Sequence, residues 1–122
     1  MPIHQGGCLC GATRYRTETD PQFSFTCYCR DCQHVSGGGH APQVAFPRES
    51  VTVEGPLKVF HGLSDKGNAL EFGFCGDCGA PLTKTTEMAP KLVFVYAGSL
   101  DDPALFTAPK QVFESSRQPW DR

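Results

Sequence analysis

"ALEFGFCGDCGAPLTKTT", residues 69–86, reads as two strands folded back on each other through the turn CGDCG. Leu70, Phe72 and Phe74 recur at every second position before the turn, and β-favouring threonines follow it. Cys75 and Cys78 stand two residues apart, the spacing of a zinc knuckle, with Gly76 and Gly79 supplying the unusual backbone angles of such a turn. A knuckle is half of a tetrahedral site, so the chain must bring a second pair of ligands. "GCLCG" at 7–11 does so with Cys8 and Cys10, again followed by a glycine. Four thiolates leave no open position and enclose a long loop, which defines a structural site. The alternative, four independent buried thiols, leaves the turn glycines beside both pairs without a reason.

Three cysteines remain, all in "TCYCRDCQH" at 26–34: Cys27, Cys29 and Cys32. A zinc ion with three protein ligands keeps a fourth position for water or substrate, the arrangement of a catalytic centre. Three thiolates make that centre a weak Lewis acid but a good host for an incoming thiolate. The residues leave other readings open: a redox thiol set, an iron–sulfur ligand set, which ordinarily needs four cysteines, or a zinc site closed by His34, with His4, His40 and His61 as further candidates. Arg30, inside the cluster, offsets its negative charge, meets a substrate carboxylate, or is a solvated surface residue. Arg14, Arg16, Arg48 and Arg117 are similar candidates without positional support. "SGGG" at 36–39 ends a helical turn or lets a substrate approach the backbone closely.

The whole chain sets the frame for these sites. Its 122 residues suit one domain, 1–122, with a core small enough to gain from metal staples. Seven cysteines are many for a chain of this length, and the odd count argues against complete disulfide pairing. The net charge of −2 and the lack of a Lys/Arg run argue against nucleic-acid binding. No apolar stretch reaches membrane-spanning length, and "MPIHQGGCLCG" lacks the pattern of a secretory signal. The expectation is a cytoplasmic protein with no membrane partner.

Further strands are expected after the turn of Cys8 and Cys10 and at "QFSFTCY" (22–28), "QVAF" (43–46), "SVTVEG" (50–55), "LKVFHG" (57–62), "KLVFVYAGSL" (91–100) and "KQVFESS" (110–116). "CRDCQHVSGGG" makes a helical turn or two, and "LDDPALF" a turn. Apolar residues nowhere keep a 3.6-residue period for a dozen positions, so the fold class is mainly β with short helical turns.

"GGCLCGATRYR" (6–16), "CYCRDCQHVSGG" (27–38), "FCGDCGAPL" (74–82), "AGSLDDP" (97–103) and "SRQPW" (116–120) occur in an order that resembles the glutathione-dependent formaldehyde-activating enzyme family, which includes centromere protein V. The resemblance spans residues 6–120. It implies a zinc-stapled antiparallel β structure of the β-tent type, shared with methionine sulfoxide reductase B. It also implies two Zn2+ ions, one structural on Cys8, Cys10, Cys75 and Cys78, and a second, catalytic and open, on Cys27, Cys29 and Cys32. The implied activity is of the carbon–sulfur lyase class: a small thiol such as glutathione joins a small electrophile such as formaldehyde to give S-(hydroxymethyl)glutathione. A non-enzymatic zinc-binding thiol carrier or interaction module is the alternative. The chain departs from the family pattern at Tyr28, where many relatives have histidine, and in "QHVSGGG". Trp120 reads as an anchor for the C-terminal tail.

Overall fold

Every side chain of LVFVY is apolar or aromatic, which leaves that strand no polar face and requires packing on both sides. The computed structural model, which describes residues 3–121, puts it at the centre of a sheet. The strands are β1 (His4–Gly7), β2 (Arg14–Thr17), β3 (Phe23–Cys27), β4 (Ala41–Pro47), β5 (Thr52–Glu54), β6 (Leu57–Leu63), β7 (Ala69–Cys75), β8 (Pro81–Thr86), β9 (Leu92–Tyr96) and β10 (Lys110–Val112), with the helix α1 (Arg30–Ser36) between β3 and β4. Seven of them form one sheet in the order β10-β3-β4-β9-β8-β7-β6, and β1-β2-β5 form a second.

Alternation along β9 divides the core. Val93 and Val95 face one cluster, with Tyr15, Val44, Phe46, Leu82 and Leu100. Phe94 and Tyr96 face the other, with Phe25, Cys27, Cys32 and Ala45. A two-residue period sends successive side chains to opposite faces, so one apolar strand serves both clusters. The small sheet closes the first cluster. Tyr15 of β2 is buried there, and its hydroxyl meets Ser99 Oγ at 2.6 Å. Gly6 of β1 bridges to Leu100, and a Cβ on it would run into the Tyr15 hydroxyl and the Ser99 carbonyl.

α1 begins and ends as its sequence directs. The Cys29 sulfur accepts from Cys32 N–H at the N-cap, and Gly37, at φ 75°, closes the helix with its N–H on the Gln33 carbonyl.

The structure differs from the sequence reading in five places. β1 was not expected: HQGG carries no apolar alternation and becomes a strand by pairing with β2. The sheet is not wholly antiparallel, because β10 runs parallel to β3 with Lys110 opposite Phe25. A parallel neighbour needs a long connection, and residues 97–109 between β9 and β10 supply it. The strand in "KQVFESS" stops at Val112, because Phe113 takes left-handed angles (φ 58°) and a 3-10 turn follows. The strand in "SVTVEG" is shortened to β5 by a 3-10 turn at Arg48–Ser50. Trp120 is 68% exposed and anchors nothing. The tail is held by polar contacts instead: Asp121 with His40 Nδ1 at 2.8 Å, and Gln118 donating to Gln33 Oε1 at 3.1 Å. Among the described residues no helix is long and apolar enough to cross a membrane.

Candidate metal centres

The end of β1 and the turn between β7 and β8 lie far apart in sequence, and the fold brings them together. The sulfurs of Cys8, Cys10, Cys75 and Cys78 all lie within 4.8 Å of one another. Cys8 and Cys10 are 3.6 Å apart, and Cys10 and Cys75 are 3.8 Å apart. Four sulfurs about 2.3 Å from a zinc ion would be roughly 3.8 Å apart, so the set fits a tetrahedral ion. These separations are far too long for a disulfide. Backbone N–H groups point at the sulfurs: Thr13 at Cys8 (3.3 Å), and Asp77 and Cys78 at Cys75 (3.3 and 3.4 Å). The Thr13 hydroxyl and these N–H groups draw the Cys75 thiol down to about 6. Gly11 and Gly79 take positive φ, 82° and 79°. Gly76 does not. Its part is close approach, with its N–H 2.6 Å from the Pro56 carbonyl and a Cβ there meeting that oxygen at 3.2 Å.

The second cluster is local. Cys27 ends β3, Cys29 caps α1 and Cys32 lies in its first turn, so a strand-to-helix corner turns three sulfurs inward, also within 4.8 Å of one another. Cys27 and Cys32 are buried and Cys29 is half-buried. Donation from Cys27 and Cys32 holds the Cys29 thiol at about 2, while the same sharing, with Cys27 and then Cys29, pushes Cys32 far up. A divalent cation among the three sulfurs would let all of them ionise. Among the described residues no histidine, aspartate or glutamate joins the group.

The four histidines are placed elsewhere. His4 meets Asp20 at 2.9 Å, His40 meets Asp121, and His61 lies 3.4 Å from Glu71. His34 is exposed on α1. Tyr28 is buried and donates to Gln111 Oε1 at 2.7 Å, tying the corner to β10. Among the described residues the arginines are likewise engaged. Arg14 forms a two-point pair with Asp101, Arg16 lies 4.0 Å from Glu18, and Arg48 meets Glu71. Arg30 is exposed and donates to Gln33 Oε1, and Arg117 lies over the Tyr28 ring.

Four residues that the sequence reading missed surround the three sulfurs. Lys84 of β8 is 8% exposed, with Nζ 3.5 Å from Cys32 Sγ. Burial pulls its pKa down, but the charges of Cys32, Cys27 and Cys29 outweigh burial and raise it. Gln43 of β4 donates to Cys32 Sγ at 3.5 Å. Gln33 donates to the carbonyls of Tyr28 (2.8 Å) and Ser116 (3.0 Å), drawing the C-terminal segment over the corner. Tyr96 is buried, its hydroxyl has no hydrogen-bond partner among the described residues, and burial followed by the charges of Cys32, Cys27 and Cys29 pushes its pKa above the ordinary phenol range. Alternation gave no signal for Lys84: Leu82 belongs to the first cluster, and the register shift opposite Gly73 and Phe74 sets Lys84 across from Phe94 in the second.

The sequence model of the family described as "Glutathione-dependent formaldehyde-activating enzyme" matches residues 3–116. A crystal structure of a Rhodobacter sphaeroides protein is similar at TM-score 0.68 and 18% identity, covering 88% of this chain and 98% of its own, a likeness of fold. No curated protein matches the chain.

Proposed function

This chain belongs to the glutathione-dependent formaldehyde-activating enzyme family, and on that premise we propose that it joins a small thiol to a small carbonyl electrophile beside Cys27, Cys29 and Cys32. Glutathione and formaldehyde are the pair in the family's description. The chain acts in this reading as a single zinc-binding domain. Cys8, Cys10, Cys75 and Cys78 hold a structural zinc that ties the two sheets, and the other three cysteines hold a second zinc. The observation that carries the proposal is the three-sulfur corner with no fourth protein ligand among the described residues, beside a buried lysine.

A zinc ion on three thiolates supplies a Lewis-acid centre that favours thiolate over thiol. The protein's own groups prepare the place. Lys84 sets an ammonium against the net negative charge of the cysteines, and Gln43 fixes Cys32 by its side-chain N–H. Half-buried Cys29 is the cysteine of the three nearest to solvent access. The reaction is an addition: the thiol loses its proton, sulfur forms a bond to the carbonyl carbon, and the π pair moves to oxygen, which takes up a proton. No oxidant or reductant is needed.

The test is NMR exchange spectroscopy on glutathione, formaldehyde and their adduct. The zinc-loaded protein is expected to speed exchange beyond the spontaneous background, and Cys29→Ser to remove the gain. An unchanged exchange rate with every small thiol tried would favour the non-enzymatic carrier.

A further inference from the structure

Beside the three-cysteine corner lies a cavity of about 330 Å³. Its walls are Phe60, Phe72, Phe74, Tyr96, Val35 and Pro81. Asp31 and His34 of α1, with Gly73 and Gly79, complete the lining, which holds no lysine or arginine. The cysteines are not among its walls, yet cavity and cluster share neighbours. Tyr96 and Val35 pack in the same core cluster as Cys27, Cys29 and Cys32. The Lys84 ammonium lies 3.5 Å from Cys32 Sγ and 5.8 Å from the centre of the Phe72 ring. Cavity and cluster therefore adjoin.

Size and charge narrow what the cavity can receive. The volume lies at the lower end of small-molecule sites, at roughly 300 Å³ and above, and is far larger than a one-carbon aldehyde requires. Glutathione carries two carboxylates, and each would need a cation. Among the described residues Arg14, Arg16, Arg30, Arg48 and Arg117 meet Asp101, Glu18, Gln33, Glu71 and the tail, Lys84 is turned to Cys32, and Lys58, across from Phe74 on β6, is not part of the lining. The acidic group in the wall, Asp31, would repel a carboxylate. Phe60 is 62% exposed on the edge strand β6, and an open aromatic at the mouth of an apolar cavity is a surface that gains from being covered.

We infer that this cavity receives the body of an uncharged aryl or branched-alkyl thiol whose sulfur reaches the Cys27/Cys29/Cys32 centre, in preference to glutathione. The inference rests on the thiol-addition reading and names the class of its thiol. Aromatic walls hold the apolar body, and the Tyr96 hydroxyl, without a partner among the described residues, is the polar group left at the boundary between cavity and cluster.

The experiment uses protein loaded with cobalt(II) in place of zinc, whose visible bands report a change of ligand at the three-cysteine centre. Phenylmethanethiol, 2-mercaptoethanol and glutathione are titrated in turn. Phenylmethanethiol is expected to bind about tenfold tighter than glutathione or better. Phe60→Ala, at an exposed position that leaves the fold intact, and Phe72→Leu should each weaken phenylmethanethiol severalfold and leave 2-mercaptoethanol unchanged. Glutathione binding as tightly as phenylmethanethiol, or indifference to both substitutions, overturns the inference while the thiol-addition reading stands. Bands that no thiol alters overturn both.

Discussion

A lysine ammonium shut away from water keeps its charge only where negative charge is close by. Lys84 has that charge in Cys32, Cys27 and Cys29, and they in turn have little other compensation once a divalent ion leaves them a net charge of −1. Lys84→Met, which keeps the length and removes the charge, is expected to lower zinc affinity at this centre by about 10- to 100-fold, the usual cost of losing a group that supports metal ligands. Competition with a coloured chelator measures it, and an unchanged affinity would make Lys84 a packing residue. The cysteines themselves should divide by site. On the proposed reading Cys75→Ser would remove a ligand that joins two sheets, and a structural zinc contributes on the order of several kcal/mol to a small domain. Cys29→Ser would remove a ligand from one local corner. Thermal unfolding should show a large loss for the first and a small one for the second; equal losses would contradict the division.

At the scale of elements, the corner between β3 and α1 is held from outside by the C-terminal segment. Gln33 spans the two, donating to the carbonyls of Tyr28 and Ser116 and accepting from Gln118. Tyr28 N–H bonds the Val112 carbonyl at 3.0 Å, the last rung before β10 ends. Gln33→Ala leaves buried carbonyls without donors, at a cost of roughly 1–3 kcal/mol. Hydrogen exchange at Tyr28 and along residues 112–118 should quicken, while β7 and β8 stay protected. The exposed pair of Arg14 on β2 with Asp101 past β9 makes a weaker tie between the sheets, worth less than about 1 kcal/mol. Its hydrogen bonds to Arg14 hold the Asp101 carboxyl below its usual range. The folded pKa is thus below the unfolded one. The contribution is full above the unfolded value, near pH 4, and is lost as pH falls through the folded one. Asp101→Asn should narrow its stability gap to the parent protein as pH falls through that window.

For the molecule as a whole, metals on the two cysteine clusters would have different tasks. One links the three-stranded sheet to the seven-stranded one through residues 65 or more positions apart; the other lies within six positions of a single corner. A graded chelator titration followed by circular dichroism is expected to remove the three-cysteine metal first with the fold intact, and the four-cysteine metal later together with the fold. Loss of structure with the first equivalent would reverse the assignment.

The sequence by itself determined the mainly β class, the CGDCG hairpin, the helical turn ended by Gly37 and the grouping of seven cysteines into four and three. Each of these is encoded locally, in a period of two, a turn glycine or a ligand spacing. The pairing of Cys8 and Cys10 with Cys75 and Cys78 was legible because a half-site demands a partner. Tertiary structure alone decided the rest. HQGG became β1 because β2 offered it a ladder, and β10 became parallel because a long connection returned it to the far edge. Lys84, Gln43 and Tyr96 sit on three strands with no common motif, and they surround the three sulfurs because sheet order sets β4, β9 and β8 side by side. Arg14, Arg16 and Arg48 drew attention in the sequence by their charge and proved to be paired with acidic side chains away from the corner. Side-chain identity can announce a ligand, but which charges meet and which cavity opens beside them depends on register between strands distant in the chain, and that is settled only when the sheet forms.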